Sequence, residues 1–217
     1  MDTAGRADRR TDGSGGADAD EGADANTGGS APAGAEPVRL VRLDLRAPEA
    51  ALLRRAVLRH RLPPGQRGHV RPPVTTLPAA DADPARTPFA VTVSGLPVAD
   101  AAAARAACAG FGVLDRAVHA RDLVPDPARA VLLRAFYLTT AWQGRGVGRA
   151  VCSAPLLDRL AADVAPHATE LVLCVNEANH VAAHVYRAAG FAPTGHRFLD
   201  AQGEAQLVMT RPLAAGA

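Results

Sequence analysis

The chain has 217 residues, 48% hydrophobic and 21% charged, an ordinary globular mix once a biased leader is set aside. The formal charge of +2 sums two opposites, because residues 1–37 hold eight acids against three Arg and the remainder is strongly basic. Three cysteines, Cys108, Cys152 and Cys174, fit neither a disulfide framework nor paired metal-ligand spacing, and no apolar run has signal-peptide or membrane-span length. These features disfavour export and membrane insertion and point to a reducing cytoplasm.

Residues 1–37 carry eight Gly and almost no large apolar side chains, so they cannot bury enough surface to offset ordering entropy and read as a disordered acidic tail. Residues 38–217 are then enough for one sizeable core and too few for two ordinary domains. Every cation of the chain is Arg and none is Lys, a bias that weakens arguments from Arg count. The basic charge suggests an anionic ligand without naming it.

The domain opens with a half-buried strand at Val38–Leu45, whose apolar and charged residues alternate. Pro48 fits a first helical turn, and Leu52, Leu53, Ala56 and Val57 extend an amphipathic helix to about Arg61. From Gly65 to Pro88 the Pro, Gly, Asp and Thr content predicts an irregular loop with at most a short helix. Phe89–Val93 reads as a strand, with Ser94 and Gly95 turning into a hairpin partner at Leu96–Val98. Residues 99–109, with eight Ala in eleven positions, suit a short helix or a low-complexity insertion, and the insertion is preferred. A strand around Phe111–Leu114 follows.

Val131–Leu138 is the strongest central strand and Leu171–Val175 the next, each apolar enough for cover on both faces. A helix follows each: Gly146 to about Leu160, bent near Pro155, and Asn179–Ala189, with Asn179 as cap and Gly190 just past the end. Arg197–Thr210 suggests two strands around an Asp200–Gly203 turn.

Chemistry concentrates at two of these junctions. Leu138–Ala150 runs strand, turn, helix with Gly144, Gly146 and Gly148 at the join, so backbone N–H groups and a helix N-terminus converge as an anion cradle, with Arg145 and Arg149 beside it. The spacing matches neither GxGxxG nor GxxxxGK[ST], which disfavours a dinucleotide fold and a P-loop. After the second central strand, Asn179 and Tyr186 stand seven apart, almost two helical turns, and share one face. Tyr186 can donate a proton to a departing thiolate, or can be a core tyrosine bonded to a backbone carbonyl.

These segments resemble the acetyl-CoA-binding core of the GNAT superfamily of N-acetyltransferases. Gln143, Gly146 and Gly148 match its Q/R-x-x-G-x-G/A motif. Asn179, Ala182, Tyr186, Gly190 and Phe191 match its later N-x-x-A-x-x-x-Y-x-x-x-G-F pattern. The resemblance implies a single α/β domain, a mixed and mostly antiparallel sheet flanked by helices, with pantetheine in a splay between the Val131 and Leu171 strands. It implies that Phe136, Tyr137 and Leu138 hold the pantetheine arm and acetyl carbonyl, and that Gln143, Gly144, Arg145, Gly146, Val147, Gly148 and Arg149 hold the pyrophosphate, with Asn179 completing the cofactor site and Tyr186 as catalytic acid. Acetyl-CoA is then the co-substrate without a metal, and a small-molecule amine, or less readily a peptide amine, the acceptor that attacks directly in a ternary complex. The competing reading is a non-catalytic acyl-CoA-binding regulatory or interaction module.

Two departures stand out. The Ala-rich segment sits where the family usually has a tight hairpin, and Val131–Tyr137 lacks the Glu that several members use as general base. Asp115, Asp122, Glu177 or a water chain remain for that task. His180 and His184, four apart, lack the glutamate of HExxH and a third ligand, so they read as solvated or packed. Cys108, Cys152 and Cys174 read as buried thiols. Arg54, Arg55, Arg59, Arg61, Arg67 and Arg71 read as a solvated face, with no nucleic-acid motif. A homodimer stays open.

Overall fold

The computed structural model describes residues 37–117, 123–200 and 202–214; the acidic leader and Asp122 lie outside them. Seven strands form one sheet in the order β1-β2-β3-β4-β5-β7-β6: β1 (Val38–Arg42), β2 (Arg86–Val93), β3 (Cys108–Asp115), β4 (Ala130–Leu138), β5 (Glu170–Asn176), β6 (Ala192–Leu199) and β7 (Ala205–Pro212). Only β4 and β5 are parallel; every other neighbouring pair is antiparallel. This is the mixed, mostly antiparallel α/β domain that the sequence implies.

Helices cover both faces. On one, α5 (Val147–Cys152), α6 (Leu156–Val164) and α7 (His180–Ala188) bury Val147, Val151, Leu157, Leu160 and Ala183 against Val131, Leu133 and Leu173. On the other, α1 (Pro48–Val57), α2 (Pro64–Arg67), α3 (Pro73–Asp81) and α4 (Ala101–Ala107) pack Leu53, Val57 and Leu77 on Phe111, Val113 and Tyr137. Leaving this much apolar surface dry contributes roughly 25 cal/mol per Å², which is why the two clusters hold the layers together.

The structure corrects several expectations. The region from Gly65 to Pro88 is not mainly loop: α2 and α3 occupy most of it, and β2 begins at Arg86. Pro64 and Pro73 each stand at the start of a helix, where a missing N–H costs nothing because that position has no intrahelical acceptor. Leu96–Val98 forms no strand and no hairpin. The Ala-rich segment is the helix α4, not an insertion, because the Asp100 carboxylate accepts from the N–H groups of Ala102 and Ala103, both at 2.8 Å, and Ala is the best helix former. β1 and α1 end earlier than expected, and the helix after Gly146 is two, parted at Ser153, whose backbone is extended. β6 begins at Ala192 rather than near Arg197.

One irregularity shapes the site. Phe111 pairs with Tyr137, but Val113 pairs with Arg134, so β4 spends three residues where β3 spends two. The extra residue is a β-bulge at Ala135, whose φ is +53°. A bulge reverses the side on which every later residue points. Val131 and Leu133 face α5–α7; past the bulge Leu138 does so too, while Tyr137 turns to α1. The β4–β5 ladder stops at Leu133 and Leu173 although β4 runs on to Leu138 and β5 to Asn176, so the two parallel strands part where the bulge begins.

Candidate acyl-CoA site

The parted strands leave backbone groups open. Thr139 N–H donates to Ala109 O at 2.8 Å, so by the alternation of an antiparallel ladder the peptide groups of Leu138 and Phe136 face away from β3, into the splay. The Leu138 carbonyl there accepts from Gln143 Nε2 at 2.9 Å and Gln66 Nε2 at 3.4 Å. Gln143 thus ties the turn to the strand end, a use that its place in the motif does not reveal.

Beyond Gln143 the chain makes a cradle. Gly144 has φ +72° and Gly146 φ +77°, and nothing within 4 Å would touch a Cβ at either; glycine is needed there for the left-handed backbone, not for space. Gly146 caps α5. Gln143 N–H turns back to Thr140 O and Ala150 N–H starts the helix on Gly146 O. Between them the six consecutive N–H groups of residues 144–149 donate to no acceptor among the described residues. The first turn of a helix cannot satisfy its own N–H groups, so this glycine-rich stretch is a run of backbone donors without intramolecular acceptors among the described residues. The Arg145 guanidinium lies over the Trp142 ring, 5.1 Å from its centroid, which holds that cation at the rim.

Gly148 joins the motif's pieces. A Cβ there would meet Val185 Cγ1 at 3.4 Å and Leu138 Cδ1 at 3.5 Å, so β4, α5 and the residue before Tyr186 converge on one atom's width. Asn179 caps α7, its Oδ1 accepting from Ala182 N–H at 3.1 Å. Tyr186 is buried on the inner face of α7, its ring 6.0 Å from that of Phe191 in an edge contact. No hydrogen bond from its hydroxyl is found among the described residues, so the backbone-carbonyl alternative is not realised there. Burial pushes its phenol pKa well above the ordinary value, which keeps the proton on. Gly190, at φ +92°, turns the chain out of α7, and a Cβ there would press on Arg211 Cδ at 3.1 Å.

Of the bases considered, Asp115 is fully buried and accepts from both Arg86 and Arg134, at 3.0 and 2.8 Å, and Glu177 pairs with Arg197. Both carboxylates are engaged in holding the fold. A group the sequence reading missed stands nearer the bulge: His60, just past α1, has Nδ1 3.0 Å from the Tyr137 hydroxyl. Burial lowers the His60 pKa while the Cys108 backbone opposes that shift, so the ring is neutral and Nδ1 can accept the phenol proton. No sequence signal marks this pair, because its members are 77 residues apart.

The other constellations stay outside this site. Cys108 and Cys152 are buried, and burial pushes each thiol up to about 12; Cys174 rises to about 11, so none is a ready nucleophile. His180 and His184 are exposed, and the described residues contain no His, Cys, Asp or Glu group suited to a metal. No described helix is long and apolar enough to cross a membrane. Arg54 is not merely solvated, since it bonds Leu43 O at 2.9 Å and Asp81 Oδ1 at 3.0 Å and ties α1 to α3.

No family model and no curated protein matches the chain. Among solved structures it is similar to the aminoglycoside acetyltransferase AAC(6')-Ib in complex with coenzyme A and kanamycin. The identity is 21%, the match covers 81% of this chain and 95% of that one, and the TM-score is 0.55. A structure of AAC(6')-Ib with paromomycin and acetyl-CoA gives 21%, 81%, 93% and 0.55. The likeness shows the fold, and it is the fold that the resemblance to the GNAT superfamily implies.

Proposed function

We propose that the protein is an acetyl-CoA-dependent N-acetyltransferase acting on the primary amine of a small molecule. The observation that carries this is the six unclaimed N–H groups of residues 144–149 set beside the parted ends of β4 and β5. A diphosphate satisfies the former and an amide-bearing arm pairs along the latter, which is the shape of coenzyme A. The structural neighbours with coenzyme A and acetyl-CoA support the same reading.

In this reading residues 144–149 hold the pyrophosphate while Gln143 braces the turn on the Leu138 carbonyl, and the Leu138 N–H and the Phe136 peptide align the pantetheine arm, with one N–H facing the thioester oxygen as charge develops there. An alkylamine is almost wholly protonated at pH 7, so a base must take a proton before or during attack. His60 is neutral and bonded to Tyr137: as the amine proton passes to the Tyr137 oxygen, the phenol proton passes to His60 Nδ1. Tyr186 gives its proton to the sulfur as the C–S bond breaks, and the second proton of the attacking nitrogen, shed as the amide forms, restores the phenol. No cysteine takes part.

Coenzyme A release with a panel of amines tests this, together with calorimetry of acetyl-CoA binding. Tyr186→Phe is expected to lower kcat at least tenfold while the acetyl-CoA Kd changes less than threefold, the split expected when a contact matters in the transition state alone. Equal kcat would remove the acid role from Tyr186. Tight binding with no release for any amine would favour the non-catalytic module.

A further inference from the structure

We propose that the amine acceptor carries an oxyanion, carboxylate or phosphate, seated in an arginine-walled cavity beside the bulge of β4. The inference rests on the acetyltransferase reading and names the acceptor class for that site. The cavity measures about 350 Å³ and lies between α3 and the face of β2, β3 and β4, room enough for a small metabolite. Its wall holds Arg71, Arg86 and Arg134 with Thr75 and Thr76, and the Asp115 and Asp83 carboxylates lie against two of those arginines.

Position links this cavity to the transfer point. Arg134 is the first residue of β4 beyond the last β4–β5 pair, and it pairs with Val113 of the cavity wall. Because of the bulge, Arg134 and Tyr137 both face the layer of α1 to α4. The bulge makes Arg134 to Tyr137 span only two residues of β3, so Arg134 stands roughly 7 Å from Tyr137 along the strand, a span that a two- or three-carbon amine bridges.

Charge decides the class of ligand. Asp115 takes one N–H from Arg86 and one from Arg134, and Asp83 pairs with Arg86 at 3.2 Å. Two carboxylates thus face three guanidinium groups, and Arg71 forms no ion pair among the described residues. Each guanidinium has five donors, so most remain for a ligand, and planar forks match carboxylate and phosphate oxygens two at a time. A polycation would meet this wall as like charge.

Titration of coenzyme A-saturated protein tests the proposal with amine pairs that differ only in the anion: 2-aminoethyl phosphate against ethanolamine, and β-alanine against β-alaninamide, with 1,4-diaminobutane as the cation. The anionic member of at least one pair is expected to bind about tenfold or more tightly, with the preference shrinking as salt rises. Which pair shows it separates phosphate from carboxylate. Arg71→Gln should weaken the anionic ligand about tenfold and leave ethanolamine and acetyl-CoA affinity unchanged. Arg134→Lys, which keeps a cation beside Asp115, should weaken it less. Equal affinity within both pairs, stronger binding of 1,4-diaminobutane, or a preference that survives Arg71→Gln would overturn the assignment. Loss of acetyl-CoA binding by the unaltered protein, read in the same titrations, would count against the acetyltransferase reading instead.

Discussion

Gly146 and Gly148 look interchangeable in the motif, yet the structure gives them different tasks. Gly146 needs its positive φ, whereas Gly148 lies inside α5 with ordinary van der Waals space around a Cβ. Gly146→Ala should therefore cost about 1–2 kcal/mol of stability and weaken acetyl-CoA binding several-fold. Gly148→Ala should gain up to about 1 kcal/mol from helix propensity and keep the affinity. Urea melts and calorimetry on the two variants check this, and matching losses would show that close backbone approach, not conformation, governs both positions. His60 offers a second residue-scale test. Its folded pKa lies below the ordinary 6.5 because burial disfavours the charged ring, so the unfolded chain binds the proton more readily. Stability from this group is full above about 6.5 and is lost as pH falls through the window down to the folded value. The unfolding free energy of the native chain minus that of His60→Gln should decline between pH 7 and pH 5. A difference that stays level across that window would show that His60 titrates as an exposed histidine does.

At the scale of elements, the sequence revealed what periodicity encodes and hid what capping and register encode. The central strands β4 and β5, the turn at Gly144–Gly148 and the helix from Asn179 were all legible, because apolar runs, left-handed glycines and an Asn cap are local signals. The helix α4 was hidden because its six alanines carry no amphipathic period; the element rests on the Asp100 cap, intrinsic propensity and the packing of Ala104 and Ala107. Proline content hid α2 and α3, because Pro64 and Pro73 occupy first turns, where Pro starts a helix, while Pro78 inside α3 reads from sequence as a break. The bulge at Ala135 has no sequence mark; it is visible only in the register, which sets Phe111 opposite Tyr137 and Val113 opposite Arg134. For that reason the His60–Tyr137 pair and the arginine cavity, both of which depend on which way β4 residues point, could not be read from the chain. The cap is testable: Asp100→Ala removes two hydrogen bonds to the α4 N-terminus and should lower the urea midpoint at unchanged slope. Asp100→Asn should recover most of it, and an unaffected midpoint in Asp100→Ala would mean that packing of Ala104 and Ala107 alone holds the helix.

Across the whole molecule, the sheet is continuous from β1 to β6 but its one parallel joint is half made. Every antiparallel neighbour of β4 and β5 pairs along most of its length, so the strand ends beyond Leu133 and Leu173 are fixed in place by β3 and β7 while facing each other across a gap. The protein has thus ordered the open peptide groups before any ligand arrives, and binding there costs little further backbone entropy. A ligand that pairs in the gap and satisfies residues 144–149 then acts as a clamp between the two halves of the sheet. Acetyl-CoA at a hundred times its Kd should add about 2.7 kcal/mol to the unfolding free energy, which for a domain of this size raises Tm by roughly 5–11 °C. Amide exchange should slow at 134–138, 144–149 and 174–176, while α3, which lies on the acceptor side of the sheet, should exchange as before. Protection confined to residues 144–149 would show that the anion cradle binds alone and that the parted strands hold no pantetheine arm.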